Sequence, residues 1–262
     1  MLFNQATFIG IDPTAGQRPF SYAALDMDLR PLALGEGRLE DILAFTAGQR
    51  QAWVGVCSPR RPNQGMMTRQ EVRNTLSPLP TKGRWVDFRL SDYLLRQRGI
   101  STPQTPARVE DCPNWMQMGF QLYQGLERLG YEEYPLGDND LLSLEVYPYG
   151  CFAALLEVLP FPKYTLEGRL QRQMILYERK VKIPDPMLFF EEITRYKILK
   201  GILPVDQLYQ AGELDALVAA YTAWLCANHA DQVITLGDPL EGQVVLPVAA
   251  LRAHYSIRYT ST

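Results

Sequence analysis

Histidine and cysteine are scarce in this chain. There are two histidines, His229 and His254, both near the C-terminus, and four cysteines that never form a CxxC pair. Cys57, Cys112, Cys151 and Cys226 lie far apart, which argues against a thiolate zinc motif or a disulfide scaffold and suits four small buried hydrophobes in a reducing compartment. Any metal site would be mostly carboxylate, a donor set that favours Mg²⁺ or Mn²⁺ over zinc. The GxxxxGK[ST] and GxSxG patterns are absent, and Gly35-Glu36-Gly37 lacks the third glycine and the strand-to-helix context of a dinucleotide site. No apolar run approaches the roughly 20 residues needed to span a bilayer. The start, MLFNQATFIG, lacks the basic region of a signal peptide, so a soluble cytoplasmic protein with no membrane association is expected. A basic excess is missing as well: 26 Lys+Arg against 29 Asp+Glu exclude a polycation that coats nucleic acid uniformly.

What is present is a core. Of the 262 residues, 47% are apolar, enough to bury one large domain or two small ones. Thr7 to Asp12 (TFIGID) reads as a buried strand that delivers Asp12 to its C-terminal edge, where open sheets place ligands. Phe20–Asp28 and Leu32–Arg38 are two further strands, joined by a turn near Leu29–Pro31 into an antiparallel meander. A helix follows over Leu39–Gln49, then a strand, Ala52–Cys57, that stops at Ser58-Pro59. Prolines 62, 78, 80, 103 and 106 make 58–113 a loop-rich insertion with at best one short helix near Asp87–Gln97. Helices are predicted over Asn114–Leu129, Tyr149–Val158, Leu166–Lys180, Met187–Lys200 and Glu213–Asn228, and strands over Leu141–Tyr147, Gln232–Leu236 and Gln243–Leu246. This order describes an α/β protein with a ribonuclease-H-like mixed sheet: three antiparallel strands, then parallel strands reached through helical crossovers. It makes one domain over 1–262, with the basic insertion 58–113 and a helical insertion over 159–212.

Three carboxylates stand out. Asp12 ends the first strand, Glu145 lies in LLSLEVYP on the face of Leu141 and Ser143, and Asp215 sits in the first turn of ELDALVAAYTAWL. At 100° per residue, Asp215 shares a stripe with Val218, Ala219, Thr222 and Cys226, while bulkier Leu214, Leu217, Tyr221, Trp224 and Leu225 lie mainly to one side. Small residues let that helix approach the sheet closely and carry Asp215 toward the strand ends. Converging carboxylates of this kind suit divalent cations in phosphodiester hydrolysis. Each has a plainer explanation: Asp12 as a turn former, Glu145 in a structural salt bridge, Asp215 favoured by the helix macrodipole.

At TFIGIDPTAG (7–16), WVGVCSP (53–59), LEVYPYGCFAALL (144–156), ELDALVAAYTAWL (213–225) and GDPLEGQVVLP (237–247) the chain resembles domain-of-unknown-function family 429, a predicted ribonuclease-H-like nuclease family. The blocks keep the family's order along nearly the whole chain, and the last two are the most specific. The resemblance implies that Asp12, Glu145 and Asp215 are catalytic, metal-binding positions for Mg²⁺ or Mn²⁺. Glu241 of GDPLEG falls in a family motif without an evident role. Cys57 stands where the family usually presents an aspartate, and a neutral thiol is a poor Mg²⁺ ligand, so one ligand is lost or Glu145 replaces it.

Charge is unevenly spread. Residues 58–98 hold nine Lys/Arg (Arg60, Arg61, Arg69, Arg73, Lys82, Arg84, Arg89, Arg96, Arg98) against three acids, and residues 110–147 hold eight acids against Arg128 alone. Either the basic block overhangs the site and binds phosphates, with Trp85 and Phe88 stacking on bases, or the two blocks pair with each other. A second basic group, Arg169, Arg172, Arg179, Lys180 and Lys182, reads as a solvated helix face.

The leading expectation is a divalent-metal-dependent nuclease of DNA or RNA, with Arg60, Arg61 and Thr14 as substrate contacts. The alternative is an inactive ribonuclease-H-like scaffold binding nucleic acid or a protein, with Cys57 marking the lost site. A Mg-nucleotide-binding, actin-like or kinase-like protein is a weaker third, since Asp12-Pro13-Thr14-Ala15-Gly16 matches poorly and the chain is too short for two copies of that domain.

Overall fold

A computed structural model of the chain describes residues 6–15, 18–80 and 85–257. Gly16 of the first turn and Lys82 and Arg84 of the basic block lie outside the described residues. The apolar runs form strands β1 (Thr7–Asp12), β2 (Phe20–Leu25), β3 (Pro31–Gly37) and, after helix α1 (Leu39–Ala47), β4 (Ala52–Val56). β2 stops three residues short of expectation because Asp26 turns the chain: its carboxylate accepts the backbone N–H groups of Asp28 and Arg30, and Leu29 takes φ 60°.

The insertion holds two short helices, α2 (Gln70–Asn74) and α3 (Leu90–Gln97), rather than one, and leads into α4 (Asn114–Arg128). A two-residue strand absent from the sequence reading, β5 (Glu132–Glu133), precedes β6 (Leu141–Val146). Then come α5 (Pro148–Leu156), α6 (Leu166–Glu178), α7 (Leu188–Glu192) and α8 (Arg195–Leu199). The helix expected over 187–200 is broken in two. Ile193 is extended, and the Thr194 hydroxyl caps α8 by accepting the Lys197 N–H, the work a Ser/Thr side chain does better at a helix start than inside one. The chain ends in α9 (Ala211–Asn228), β7 (Ile234–Asp238) and β8 (Gly242–Leu246). α9 starts two residues early because Gln210 and Glu213 close a capping box.

The sheet runs β3-β2-β1-β4-β6-β8-β7, with β5 beside the first half of β6. β1, β2 and β3 are antiparallel; β1, β4, β6 and β8 are parallel; β7 folds back on β8. The pleat gives each face its own core. Ile9, Ile11, Val54 and Val56 pack with Leu122, Tyr123 and Leu126 of α4. Phe8, Leu144 and Val146 pack with α5 and α9 on the other face. α9 lies very close to the sheet, because Gly10 and Gly55 are register partners and both face it. A Cβ on Gly10 would sit 1.9 Å from the Ala216 carbonyl oxygen, and one on Gly55 2.7 Å from that of Ala219. The bulkier side of α9 is not left open: Leu214, Leu217, Tyr221 and Leu225 are also buried, since α5 and α6 pack against the helix. Among the described residues no helix is long and apolar enough to cross a membrane.

Candidate functional site

The close seat of α9 sets the site. Asp12 leaves the end of β1 on the α9 face, one residue beyond Ile11, and Asp215 enters from the first turns of α9. A side chain on Gly212 would begin 3.7 Å from Asp12 Oδ2, so the helix start and the strand end meet. Lys163, in the loop between α5 and α6, donates from Nζ to Asp215 Oδ2 at 2.6 Å. Burial, then the negative charge of Asp215, pushes the Asp12 pKa up to about 8 against the pull of Lys163. Burial also raises Asp215, opposed by Lys163 and Arg172. Lys163 is raised above its ordinary value: burial disfavours its charge, but Asp215 and Asp12 more than compensate. Lys163 thus pairs with Asp215, and its charge reaches the neighbouring Asp12.

Cys57 follows β4 in Asp12's row of the sheet, and its thiol donates to the Asp215 carbonyl oxygen at 3.5 Å. Burial, followed by the charges of Asp12 and Asp215, lifts its pKa far up. A thiol held protonated in this way is a poor nucleophile and a poor cation ligand.

Glu145 does not join the pair. Ile11, Val56 and Glu145 occupy one row of the sheet, so Glu145 points to the α4 face while Asp12 and Cys57 occupy the next row and point to the α9 face. There it is buried at 3% exposure and accepts from three donors: Arg89 Nη2 at 2.6 Å, Arg89 Nη1 at 2.9 Å and the Arg60 backbone N–H at 2.9 Å. Arg89 also forks onto Asp92. Burial disfavours the Arg89 charge, and Asp92 and Glu145 restore it. Glu145 is a structural ion-pair partner in this arrangement, with no oxygen left over. Among the described residues, no three His, Cys, Asp or Glu side chains converge in a metal-holding group.

The two charge blocks meet across the fold. Arg60 is buried against the Tyr123 ring, pairs with Glu127 and Glu133, and donates to the Ser143 carbonyl. Arg61 pairs with Glu133 and donates to the Pro239 carbonyl. Neither guanidinium is presented as a free phosphate contact. The Thr14 hydroxyl lines the cavity but donates within its own turn, to the Arg18 carbonyl. Phe88 is buried under Arg96, and Trp85 packs on Phe88 and Tyr93, so these rings build a small core of the insertion instead of a base-stacking surface.

Glu241 has a role the sequence left open. Fully buried in the β7–β8 turn, it accepts the backbone N–H groups of Gln64, Met66 and Leu90, and so caps α3 while stapling the insertion to the sheet edge.

A cavity of about 700 Å³ opens over the strand ends. Asp12, Asp215, Lys163 and Arg172 line it together with the rings of Trp115, Tyr147, Tyr149 and Tyr164. Lys163 and Arg172 were not singled out from the sequence as site residues. Arg172 was read as solvated but is buried, with Nη1 donating to the carbonyls of Phe161 and Gly168.

The strand order, the mixed strand directions and a carboxylate at the end of the central strand define a ribonuclease-H-like α/β protein. A family profile described as "Protein of unknown function (DUF429)" matches residues 44–241, and the chain belongs to that family. The match takes in Cys57, Glu145, Lys163, Arg172 and Asp215 and begins after Asp12. No curated protein and no solved structure matches the chain.

Proposed function

We propose that this protein hydrolyses phosphodiester bonds in nucleic acid with the help of a divalent cation held by Asp12 and Asp215. The observation that carries this reading is the neighbouring carboxyl groups of Asp12 and Asp215, with Lys163 on Asp215, at the sheet edge and lining a cavity of nucleotide size. The pair fits Mg²⁺ or Mn²⁺, which bind through one or two carboxylates and keep several waters. When bound, such an ion supplies Lewis acidity to a phosphoryl oxygen. Asp12 gives up its proton to make room for the cation. Lys163, whose side chain is 35% exposed on a long flexible stem, swings from Asp215 toward the substrate phosphate. Glu145 takes no part in the ligand set and fixes the insertion beside the site. Four buried, unpaired cysteines accord with a reducing, cytoplasmic setting.

A second reading, a binding scaffold without catalysis, is favoured by Cys57 in Asp12's row and by Lys163 already neutralising Asp215. Mn²⁺ titration by calorimetry separates the two. The hydrolase reading expects one saturable site that both Asp12→Asn and Asp215→Asn abolish, together with Mn²⁺-dependent cleavage of a labelled oligonucleotide. Absence of a saturable heat sensitive to Asp12→Asn leaves the scaffold.

A further inference from the structure

Among the described residues three arginines are deeply buried, and one of them lacks an anion. Arg60 and Arg89 each hold carboxylates. Arg172, 1% exposed, has no carboxylate within ion-pair reach among the described residues, and its Nε has no hydrogen-bond partner. Nη1 is occupied by the Phe161 and Gly168 carbonyls, and the guanidinium lies 5.2 Å over the Phe152 ring. This anchoring fixes the plane of the group and leaves Nε buried without a partner in a residue that lines the cavity of Asp12 and Asp215. A buried guanidinium without a counter-ion is costly, and the Nε edge of an arginine matches two oxygens of a phosphate.

We propose that Arg172 is the anion-binding group of this cavity and that it receives the terminal phosphate of a nucleotide. The inference rests on the hydrolase reading and deepens it by naming the part of the substrate that enters. Lys163 and Arg18 line the same cavity, so a dianion meets more than one cation. The rings of Trp115, Tyr149 and Tyr164 line it as well and offer flat faces for a base. Burial lowers the Arg172 pKa, opposed by the charges of Asp215 and Tyr149, which places the guanidinium in the field of the carboxylate pair. A phosphate in the middle of a duplex cannot be brought against a side chain this buried. A free mononucleotide or the end of a single strand can.

Calorimetry on the full chain in EDTA tests this without the cation. The probes are deoxyadenosine, deoxyadenosine 5′-monophosphate, and a tetranucleotide with and without a 5′-phosphate. The phosphorylated probes are expected to bind at least about tenfold more tightly than their unphosphorylated counterparts, and Arg172→Lys, which keeps the charge but not the fork, is expected to remove most of that preference. A tetranucleotide preference marks a strand end as the source, and a preference confined to the mononucleotide marks a free nucleotide. Should Arg172→Lys fail to fold, Arg172→Gln, which removes the charge but can still donate to the Phe161 and Gly168 carbonyls, takes its place and is expected to lose the preference as well. No phosphate preference in the wild type, or a preference that persists in the Arg172 variant, overturns the proposal. Failure of Mn²⁺ binding with the phosphate preference intact removes the hydrolase reading and leaves Arg172 in place; the converse result removes Arg172 alone.

Discussion

Two pairs of acidic side chains sit at the same end of the sheet, on opposite faces, and they are handled differently. On the α4 face Glu145 and Asp92 are gripped by the Arg89 fork, and a backbone N–H adds to Glu145. On the α9 face Lys163 pairs with Asp215, and burial and the Asp215 charge push the Asp12 pKa up to about 8. The first group is saturated with donors, as buried charges must be in a structural role. Both groups line the cavity, but in the second Asp12 has no ion-pair partner among the described residues and carries a proton it can exchange for a cation from outside. Saturation, rather than burial or the presence of an acid at a strand end, separates scaffold from candidate chemistry here.

The largest expected effect attacks the saturated side. Arg89→Met leaves Glu145 and Asp92 buried without their partner and is expected to cost about 3–5 kcal/mol, read as a fall in the urea midpoint. A loss within experimental error would mean that the two faces do not differ. Next comes cation uptake. Lys163→Ala removes the competitor from Asp215 and should raise Mn²⁺ affinity by about tenfold in calorimetry, with one proton released from Asp12 on binding below about pH 8. Weaker Mn²⁺ binding would instead make Lys163 a supporting group. The smallest effect is in pH dependence. Because the Asp12 pKa in the fold lies above its unfolded value of about 4, the folded chain carries the extra proton between the two values. The contribution of Asp12 to stability therefore declines as pH rises from about 4 to about 8 and is flat above that. Asp12→Asn should remove this slope and leave the variant as stable as the wild type, or more so, at about pH 9. A wild-type stability that rises through this window by Asp12 titration would contradict the upward shift of Asp12.

Most of the sheet was legible because β1, β4 and β6 are apolar runs closed by turns, and the small-residue stripe of α9 announced its close approach to the sheet, though not the Gly10 and Gly55 that receive it. The face on which Glu145 points was not. Alternation within β6 groups Glu145 with Ser143, but whether that row continues into Asp12 or Ile11 depends on register between strands, and a one-residue offset reverses the answer. Arg172 escaped for a similar reason. Its helix has ordinary spacing, and its burial comes from Phe152 and the loop at Phe161, which only the tertiary packing brings there. Lys163 lies in a loop, where no periodicity reports on direction. The pairing of Arg60, Arg61 and Arg89 with Glu127, Glu133 and Glu145 was one of two open choices, since local charge sums give no contact.

Glu241 ties the end of the chain to its middle. The N–H groups of Gln64, Met66 and Leu90 find their acceptor on a residue synthesised about 150 positions later than Leu90. While the chain emerges from the ribosome, the N–H groups of Gln64, Met66 and Leu90 therefore lack this acceptor until the β7–β8 hairpin has been made. Replacing Glu241 would leave all three without it, so a turn far along the chain holds the insertion beside the site.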